Sequence, residues 1–154
     1  MSQTVSATIT QQNNYQFLVD FGAGVAALQT DEHPPLGAGE GPSPSQLLVA
    51  AVINCLSASL FFALQKFKQD AGGITTTGSA RIGRDQDNRL RVQEIAVTIK
   101  LGRRGGEIEH LERILSQFEA FCTVTQSVRL GIPVAVTVLD GDGVRIKDAT
   151  SKQE

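Results

Sequence analysis

Hydrophobic and polar residues alternate in the N-terminal part of the chain, which is typical of β-strands. Residues 5–10 alternate in this way, and residues 15–21 carry an apolar side chain at every second position. Asn13-Asn14 separates the two segments, so the pattern predicts a β-hairpin. A short third strand is predicted at residues 25–29, followed by a loop rich in proline and glycine over residues 30–43.

The pattern changes at residues 41–65, where no charged side chain occurs. Ser43, Pro44 and Gln46 have the features of a helix start. A serine N-cap, a proline at the first helical position and a glutamine three residues after the cap satisfy the free amides of the first turn. A helix is therefore predicted to begin at Pro44.

This helix is predicted to run to about Gln69, because the next glycine or proline is Gly72. It is apolar nearly all round over residues 47–64, which predicts burial on every side. Polar residues inside the segment and alternating strands on both sides favour a core helix over a membrane span. One small sheet cannot cover every side of such a helix, so a second subunit is expected.

A second hairpin is predicted from two alternating segments, residues 74–82 and 90–101, around a polar turn at residues 83–88. The apolar phase slips at residues 93–94, which predicts a β-bulge there.

Apolar residues then recur at spacings of three and four, which predicts an amphipathic helix over about residues 107–121; they are Ile108, Leu111, Leu115 and Phe118. A capping pattern at residues 123–126 predicts a short helix that ends before Gly131. Residues 132–147 predict a last hairpin that turns near residues 140–143. Strands in hairpins, rather than single strands alternating with helices, predict an α+β fold with antiparallel sheets.

Composition is that of one globular domain: 154 residues, 41% hydrophobic and 19% charged. The domain is expected over residues 1–148, with a polar tail at residues 149–154. With a net charge of -2, neither nucleic acid nor a membrane is expected as a partner. The N-terminus has no basic segment followed by an apolar run, so a cytoplasmic location is expected.

Two cysteines in such a domain are either inert buried thiols or a redox couple. Cys55 lies about three turns inside the long helix among apolar residues, a setting that by itself favours an inert thiol. Cys122 directly precedes the short helix, where unpaired amides and the helix dipole favour the thiolate. The periodicity leaves open whether the two cysteines meet.

Other chemistry finds little support in the sequence. His33, His110 and the two cysteines lack the short spacings of a zinc site, so no metal is expected. His33 is expected in a solvated loop and His110 on the exposed side of the second helix. No Ser-His-Asp motif, phosphate-binding loop or dinucleotide fingerprint occurs.

Two segments, GPSPSQLLVAAVINC at residues 41–55 and FCTVTQSVRLGIPVAVTV at residues 121–138, resemble the OsmC/Ohr family of organic hydroperoxide reductases and osmotically induced proteins. The signature is a Gly-x-x-Pro turn that opens a long helix with a first cysteine, and a second cysteine before a short helix and a terminal strand pair. The resemblance covers nearly the whole chain. It implies an intertwined homodimer in which antiparallel sheets wrap around two long central helices.

The resemblance also implies a chemistry. In catalytic members of the family the first cysteine attacks the peroxide and becomes a sulfenic acid, which the second cysteine resolves to a disulfide. By match, Cys55 is the attacking thiol and Cys122 the resolving thiol of a peroxidase that reduces organic hydroperoxides in oxidative stress defence. An external dithiol, often of the lipoyl type, is the expected reductant, and no bound cofactor is expected.

The sequence also departs from the family pattern. The family normally has a glutamate directly after the signature proline, and an arginine in the N-terminal half. Here Ser45 and Gln46 follow Pro44, and no arginine precedes Arg81. Glu40 or His33 from the preceding loop, or Arg81 or Arg129 of a partner subunit, are candidates to replace them. The presence of both cysteines favours the peroxidase. The absence of the family's arginine and glutamate favours a protein that binds a small apolar ligand or senses redox state.

Overall fold

The computed structural model of the protein describes residues 2–149, so nearly all of the predicted polar tail at 149–154 lies outside the described residues. The chain divides into two compact units, and the boundary falls between Leu48 and Val49. The long helix, α1, runs over Pro44–Lys66 and spans that boundary. The expectation of one domain over residues 1–148 stays a prediction.

The first unit contains a three-stranded antiparallel sheet in the order β1-β2-β3. Its strands are β1 (Thr8–Asn13), β2 (Gln16–Asp20) and β3 (Leu28–Thr30), so the predicted hairpin is confirmed. Its turn contains Asn14 at φ 50°, a left-handed conformation that asparagine tolerates. The third strand begins three residues later than the pattern predicts, because pairing with β2 sets its register.

Helix α1 begins as the sequence predicts. The Ser43 hydroxyl accepts a hydrogen bond from the Gln46 amide at 3.2 Å, and the Gln46 side chain accepts one from the Ser43 amide at 3.0 Å. This reciprocal pair is a capping box. The helix ends at Lys66, before the predicted Gln69, because Lys68 takes a left-handed conformation with φ 54°.

Only one stripe of α1 is buried within the chain, so the prediction of burial on every side is not met by a single copy. The buried residues are Val52, Leu56, Leu60, Ala63 and Leu64. Phe61 and Phe62 are both more than half exposed. Among the described residues, α1 is the one helix long and apolar enough to cross a membrane, a test that core helices of soluble proteins also pass.

The second unit contains a four-stranded sheet in the order β4-β5-β6-β7. Its strands are β4 (Ile74–Arg84), β5 (Leu90–Leu101), β6 (Val134–Leu139) and β7 (Arg145–Lys147). Both predicted hairpins are present. The predicted bulge is confirmed as well: Arg81 lies opposite Glu94 and Ile82 opposite Val92, which leaves Gln93 as the extra residue.

The sheet is not purely antiparallel as predicted, because β5 and β6 pair in parallel. Parallel neighbours need a crossover connection rather than a tight turn. Here the crossover consists of the segment with α2 (Leu111–Gln117) and α3 (Thr123–Val128). The α+β class holds, but the second sheet is mixed.

The single helix predicted over residues 107–121 is wrong in detail. The segment forms a 3₁₀ turn at Gly105–Glu107, then α2, then a second 3₁₀ turn at Phe118–Phe121. His110, at φ 58°, adopts a left-handed conformation that interrupts the helix directly before α2. The N-cap position of the short helix α3 is Cys122 rather than Thr123, one residue earlier than predicted, and the Cys122 side chain makes no capping hydrogen bond.

Helix α1 packs closely on β4. A Cβ atom added to Gly78 would lie 2.5 Å from Ile53 Cγ2 and 2.8 Å from Val49 Cγ1, so this contact needs glycine. Next to it, the hydroxyls of Ser57 and Thr76 are 2.6 Å apart and share a hydrogen bond. These contacts flank Cys55 along the helix and fix the part of α1 that carries it.

Candidate active site

The two cysteines, far apart in sequence, meet in the second unit. Both are free thiols: Cys55 is half-buried on α1, and Cys122 is fully buried between the second 3₁₀ turn and α3. Cys55 lies close enough to Cys122 to raise the pKa of the Cys122 thiol. The described residues therefore hold two free thiols near each other, with Cys55 the more accessible of the two.

Cys122 is not the favoured thiolate that its place before a helix predicts. Burial raises the pKa of the Cys122 thiol above its usual value, and the interaction with Cys55 raises it further. The hydroxyl and the amide of Thr125 act in the opposite direction and do not outweigh burial. The sequence-based expectation was wrong because it considered only the free amides of α3, which stabilise a thiolate. Burial removes solvent from Cys122 and destabilises the thiolate more strongly.

Thr125 is a site residue that the sequence analysis noted only as part of a capping pattern. Its side chain is fully buried, and its Oγ1 accepts a hydrogen bond from the Cys122 thiol, with 3.0 Å between the sulfur and the oxygen. The spacing Cys-x-x-Thr at a helix start was the available signal, because residues three apart lie on the same face of a helix.

A cluster of charged side chains, Glu119, Arg129 and Lys147, surrounds the Cys122 turn; we call it the Glu119 cluster. Arg129 Nη2 lies 2.5 Å from Glu119 Oε1, and Lys147 Nζ pairs with Glu119 Oε2. The side chains of Glu119, Arg129 and Lys147 are 12%, 25% and 19% exposed, respectively. The sequence analysis gave no role to Glu119 or Lys147, because they lie 28 residues apart on different elements.

The Glu119 cluster ties together the elements on each side of Cys122. Arg129 also donates to the Val134 carbonyl at 2.8 Å, at the start of β6, and Lys147 donates to the Leu115 carbonyl at 2.8 Å, in α2. The Glu119 carbonyl accepts the Cys122 amide at 3.1 Å. The cluster thus anchors the turn that presents the Cys122 thiol.

The two arginines that were candidates for a supporting role are already paired inside their own chain. Arg81 Nε lies 2.9 Å from Glu94 Oε1, and this pair is open to solvent, with side chains 59% and 52% exposed. Arg129 belongs to the Glu119 cluster. Within its own chain, each arginine therefore pairs with a glutamate rather than with a cysteine.

The remaining candidates lie in the first unit and are described by themselves. Glu40 is exposed and accepts a hydrogen bond from the Gln16 side chain at 2.8 Å. His33 is exposed in the loop, as predicted. Ser45 lies half-buried in the first turn of α1, and Gln46 takes part in the capping box.

The loop that leads to α1 is organised around a buried carboxylate that the sequence analysis missed, Asp31. Its Oδ1 accepts the Glu32 amide at 2.7 Å, and its Oδ2 accepts the amides of Glu40 at 3.1 Å and Ala38 at 3.3 Å. Burial acts to raise the pKa of Asp31, but these hydrogen bonds together lower it. The ionised side chain therefore holds the loop in shape.

A cavity of about 450 Å³ borders the exposed side of α1. Its lining includes Asn54, Ala58 and Phe61 of α1 and Ile74 at the start of β4. Asn54 directly precedes Cys55, although Cys55 is not part of the lining. A cavity of this size suits a small organic molecule. Within residues 2–149, no group of three or more His, Cys, Asp or Glu side chains is arranged to hold a metal ion.

Comparisons with known proteins cover most of the chain. The family model described as OsmC-like protein matches residues 37–137. No curated protein matches the sequence. An OsmC-like protein of unknown function from Vibrio cholerae has a similar structure, with a TM-score of 0.76 at 15% identity over 90% of this chain and 100% of that one.

Two further solved structures are similar. An organic hydroperoxide resistance protein from Elizabethkingia anophelis, crystallised with thiocyanate, has a TM-score of 0.71 at 21% identity over 90% of this chain and 96% of its own. The organic hydroperoxide resistance protein OhrB of Bacillus subtilis has a TM-score of 0.67 at 16% identity, over 88% and 98%. At these identities the likeness concerns the fold, and it agrees with the α+β class expected from the sequence.

Proposed function

The chain belongs to the OsmC-like protein family, and from this membership we propose that it is a thiol-dependent peroxidase that reduces organic hydroperoxides in oxidative stress defence. The observation that carries the proposal is that the free thiols of Cys55 and Cys122, 67 residues apart in sequence, lie near each other in the second unit. Two inert buried cysteines have no need to meet, whereas attacking and resolving thiols do. Two proteins with the same fold are organic hydroperoxide resistance proteins.

The proposed reaction begins at Cys55, the more accessible sulfur. The Cys55 thiolate attacks the hydroperoxide, so an S–O bond forms, the O–O bond breaks and the alcohol leaves with a proton. Cys122 then attacks the sulfenic acid of Cys55, which forms the disulfide and releases water. An external dithiol of the lipoyl type returns the disulfide to two thiols by exchange.

A test of this function uses the unmodified protein in its reduced form with a dithiol. It is expected to consume cumene hydroperoxide faster than hydrogen peroxide, because the residues of α1 around Cys55 are mostly apolar and favour contact with an organic substituent. Loss of hydroperoxide is followed with time at equal oxidant concentration. Consumption no faster than with the dithiol alone would contradict the proposal.

We also propose that a second copy of the chain covers the exposed apolar side of α1. Phe61 and Phe62 project from this side and are open in a single copy. An exposed apolar surface of this kind, continuous along a helix, marks an interaction site. Cover by an identical helix gives the homodimer of the family fold.

Light scattering checks the homodimer. At micromolar concentration the protein is expected to have about twice the mass of one chain, because dissociation would return the apolar side of α1 to water. Replacing Phe62 with aspartate is expected to shift the population toward monomer, while replacing the exposed Leu130 of the crossover with aspartate serves as the matched control. A folded monomer in the unmodified protein would remove the interface.

In such a dimer, Arg81 of the second copy is the better candidate for the cation that activates Cys55. Arg81 and Glu94 are 59% and 52% exposed, so separating this ion pair costs little free energy. Arg129 and Glu119 are only 25% and 12% exposed, so separating them breaks an ion pair that solvent screens much less.

A second candidate function is favoured by the same residues. Arg81 and Arg129 each pair with a carboxylate of their own chain, and Ser45 stands where the family has its glutamate. An OsmC-like protein without an activating cation would bind a small apolar ligand beside α1 or report redox state through the cysteine pair. Reversible disulfide formation without hydroperoxide turnover would select this function.

A further inference from the structure

We propose that the Thr125 hydroxyl acts directly on the resolving sulfur: it holds Cys122 Sγ in place and stabilises the thiolate that attacks the oxidised Cys55. The proposal deepens the proposed function and rests on the cysteine pair being redox-active. Its basis is the contact between two fully buried side chains, in which the Cys122 thiol donates to Thr125 Oγ1 over 3.0 Å.

The buried position of Cys122 creates the need for such a group. The thiolate is the nucleophile in disulfide formation, and burial makes this thiolate hard to form. Of the groups that act on the Cys122 pKa, only the Thr125 hydroxyl and the Thr125 amide lower it. Thr125 is thus the local source of stabilisation for negative charge on that sulfur.

A threonine hydroxyl suits both states of the thiol. It has one proton to donate and lone pairs to accept, and it rotates about its C–O bond. It accepts a hydrogen bond from the neutral thiol, as seen here, and donates one to the thiolate after the proton has left. Hydrogen bonds to a charged group are the stronger kind, so the contact strengthens when Cys122 ionises.

Thr125 is held firmly enough to act in this way. It lies on α3, which is anchored to the Glu119 carbonyl through the Gln126 side chain at 2.9 Å and to the Glu119 carboxylate through Arg129. The hydroxyl is therefore presented to Cys122 by the same cluster that anchors the Cys122 turn.

The resolving step balances as follows. The Cys122 thiolate attacks the sulfur of the Cys55 sulfenic acid, an S–S bond forms and the S–O bond breaks. The departing oxygen takes up the proton that Cys122 gave away and leaves as water. Thr125 keeps its own proton throughout, so one sulfenic acid and one thiol become one disulfide and one water.

The test isolates the resolving sulfur without peroxide. An aromatic disulfide, dithionitrobenzoate, is expected to react first with the more accessible Cys55 and release one coloured thiolate; attack by Cys122 on the mixed disulfide then releases a second. The second phase measures Cys122 alone. Thr125→Val keeps the side-chain shape without the hydroxyl, and it is expected to slow this phase about tenfold or more at neutral pH, with its pH profile moved to higher pH.

Thr125→Ser restores the hydroxyl and is expected to bring the second phase close to the unmodified rate. Thr125→Ala is a second variant without the hydroxyl, for use if the valine variant folds poorly, and the first phase at Cys55 reports an intact site in each. An unchanged second phase and pH profile in the variants without the hydroxyl would overturn the role of Thr125. This result is independent of whether the protein consumes hydroperoxide.

Discussion

Replacing Cys55 with serine is expected to abolish hydroperoxide consumption, because a neutral hydroxyl cannot replace a thiolate as the nucleophile. The substitution exchanges one sulfur for one oxygen on α1, so the fold is expected to persist. Removal of cumene hydroperoxide in the presence of a dithiol should fall to the rate of the dithiol alone. Circular dichroism of Cys55→Ser, matched to that of the unmodified protein, separates loss of the nucleophile from loss of structure.

Replacing Cys122 with serine is the matched variant, because it removes the other member of the pair. Cys122→Ser is expected to react once with hydroperoxide and then stall with Cys55 as the sulfenic acid. Mass spectrometry after trapping with a sulfenic-acid reagent detects this species.

Equal turnover by Cys55→Ser and the unmodified protein would show that another group attacks the peroxide, and the assignment of Cys55 as the nucleophile would then be wrong.

Replacing Glu119 with alanine is expected to lower the free energy of unfolding by about 3 kcal/mol, the usual effect of removing one partner of a buried ion pair. Arg129 and Lys147, whose side chains are 25% and 19% exposed in the unmodified protein, would lose the carboxylate that they share. Urea unfolding at one fixed protein concentration measures the change, since dissociation of an oligomer would otherwise contribute.

The exposed pair of the same chain supplies the control for this experiment. Glu94→Ala also removes one carboxylate from an arginine, but Arg81 and Glu94 are open to solvent, so little change is expected. Glu119→Gln keeps the side-chain length and removes the charge, and its effect is expected to lie between those two variants. If Glu119→Ala unfolds at the same urea concentration as Glu94→Ala, the cluster is not what anchors the Cys122 turn.

The features that depend on neighbours in sequence were readable from the sequence. The start of α1 was predicted because Ser43 and Gln46 satisfy each other within one turn, at a fixed spacing of three residues. The bulge at Gln93 was predicted because an extra residue shifts the alternation of apolar side chains within a single strand. Family membership rests on the same kind of signal, two short motifs in the right order.

The features that depend on contacts between distant segments could not be predicted from the sequence. The place of Cys122 before a helix predicted a favoured thiolate. Its full burial instead raises the pKa of the thiol, and residues elsewhere in the chain cause that burial. The parallel pairing of β5 with β6 follows from the crossover, which the pattern of each strand does not encode.

The sequence by itself determined most of the strands and the start of α1, because periodicity and capping are local, and two motifs pointed to the family and to its two cysteines. Only the tertiary structure decided that Cys55 and Cys122 interact, that Thr125 holds the Cys122 thiol, and that Glu119 joins Arg129 and Lys147 around it. The physical reason is that the ionisation of a thiol and the strength of an ion pair depend on solvent exclusion and on distances between elements. The spacing of residues along the chain does not give these distances.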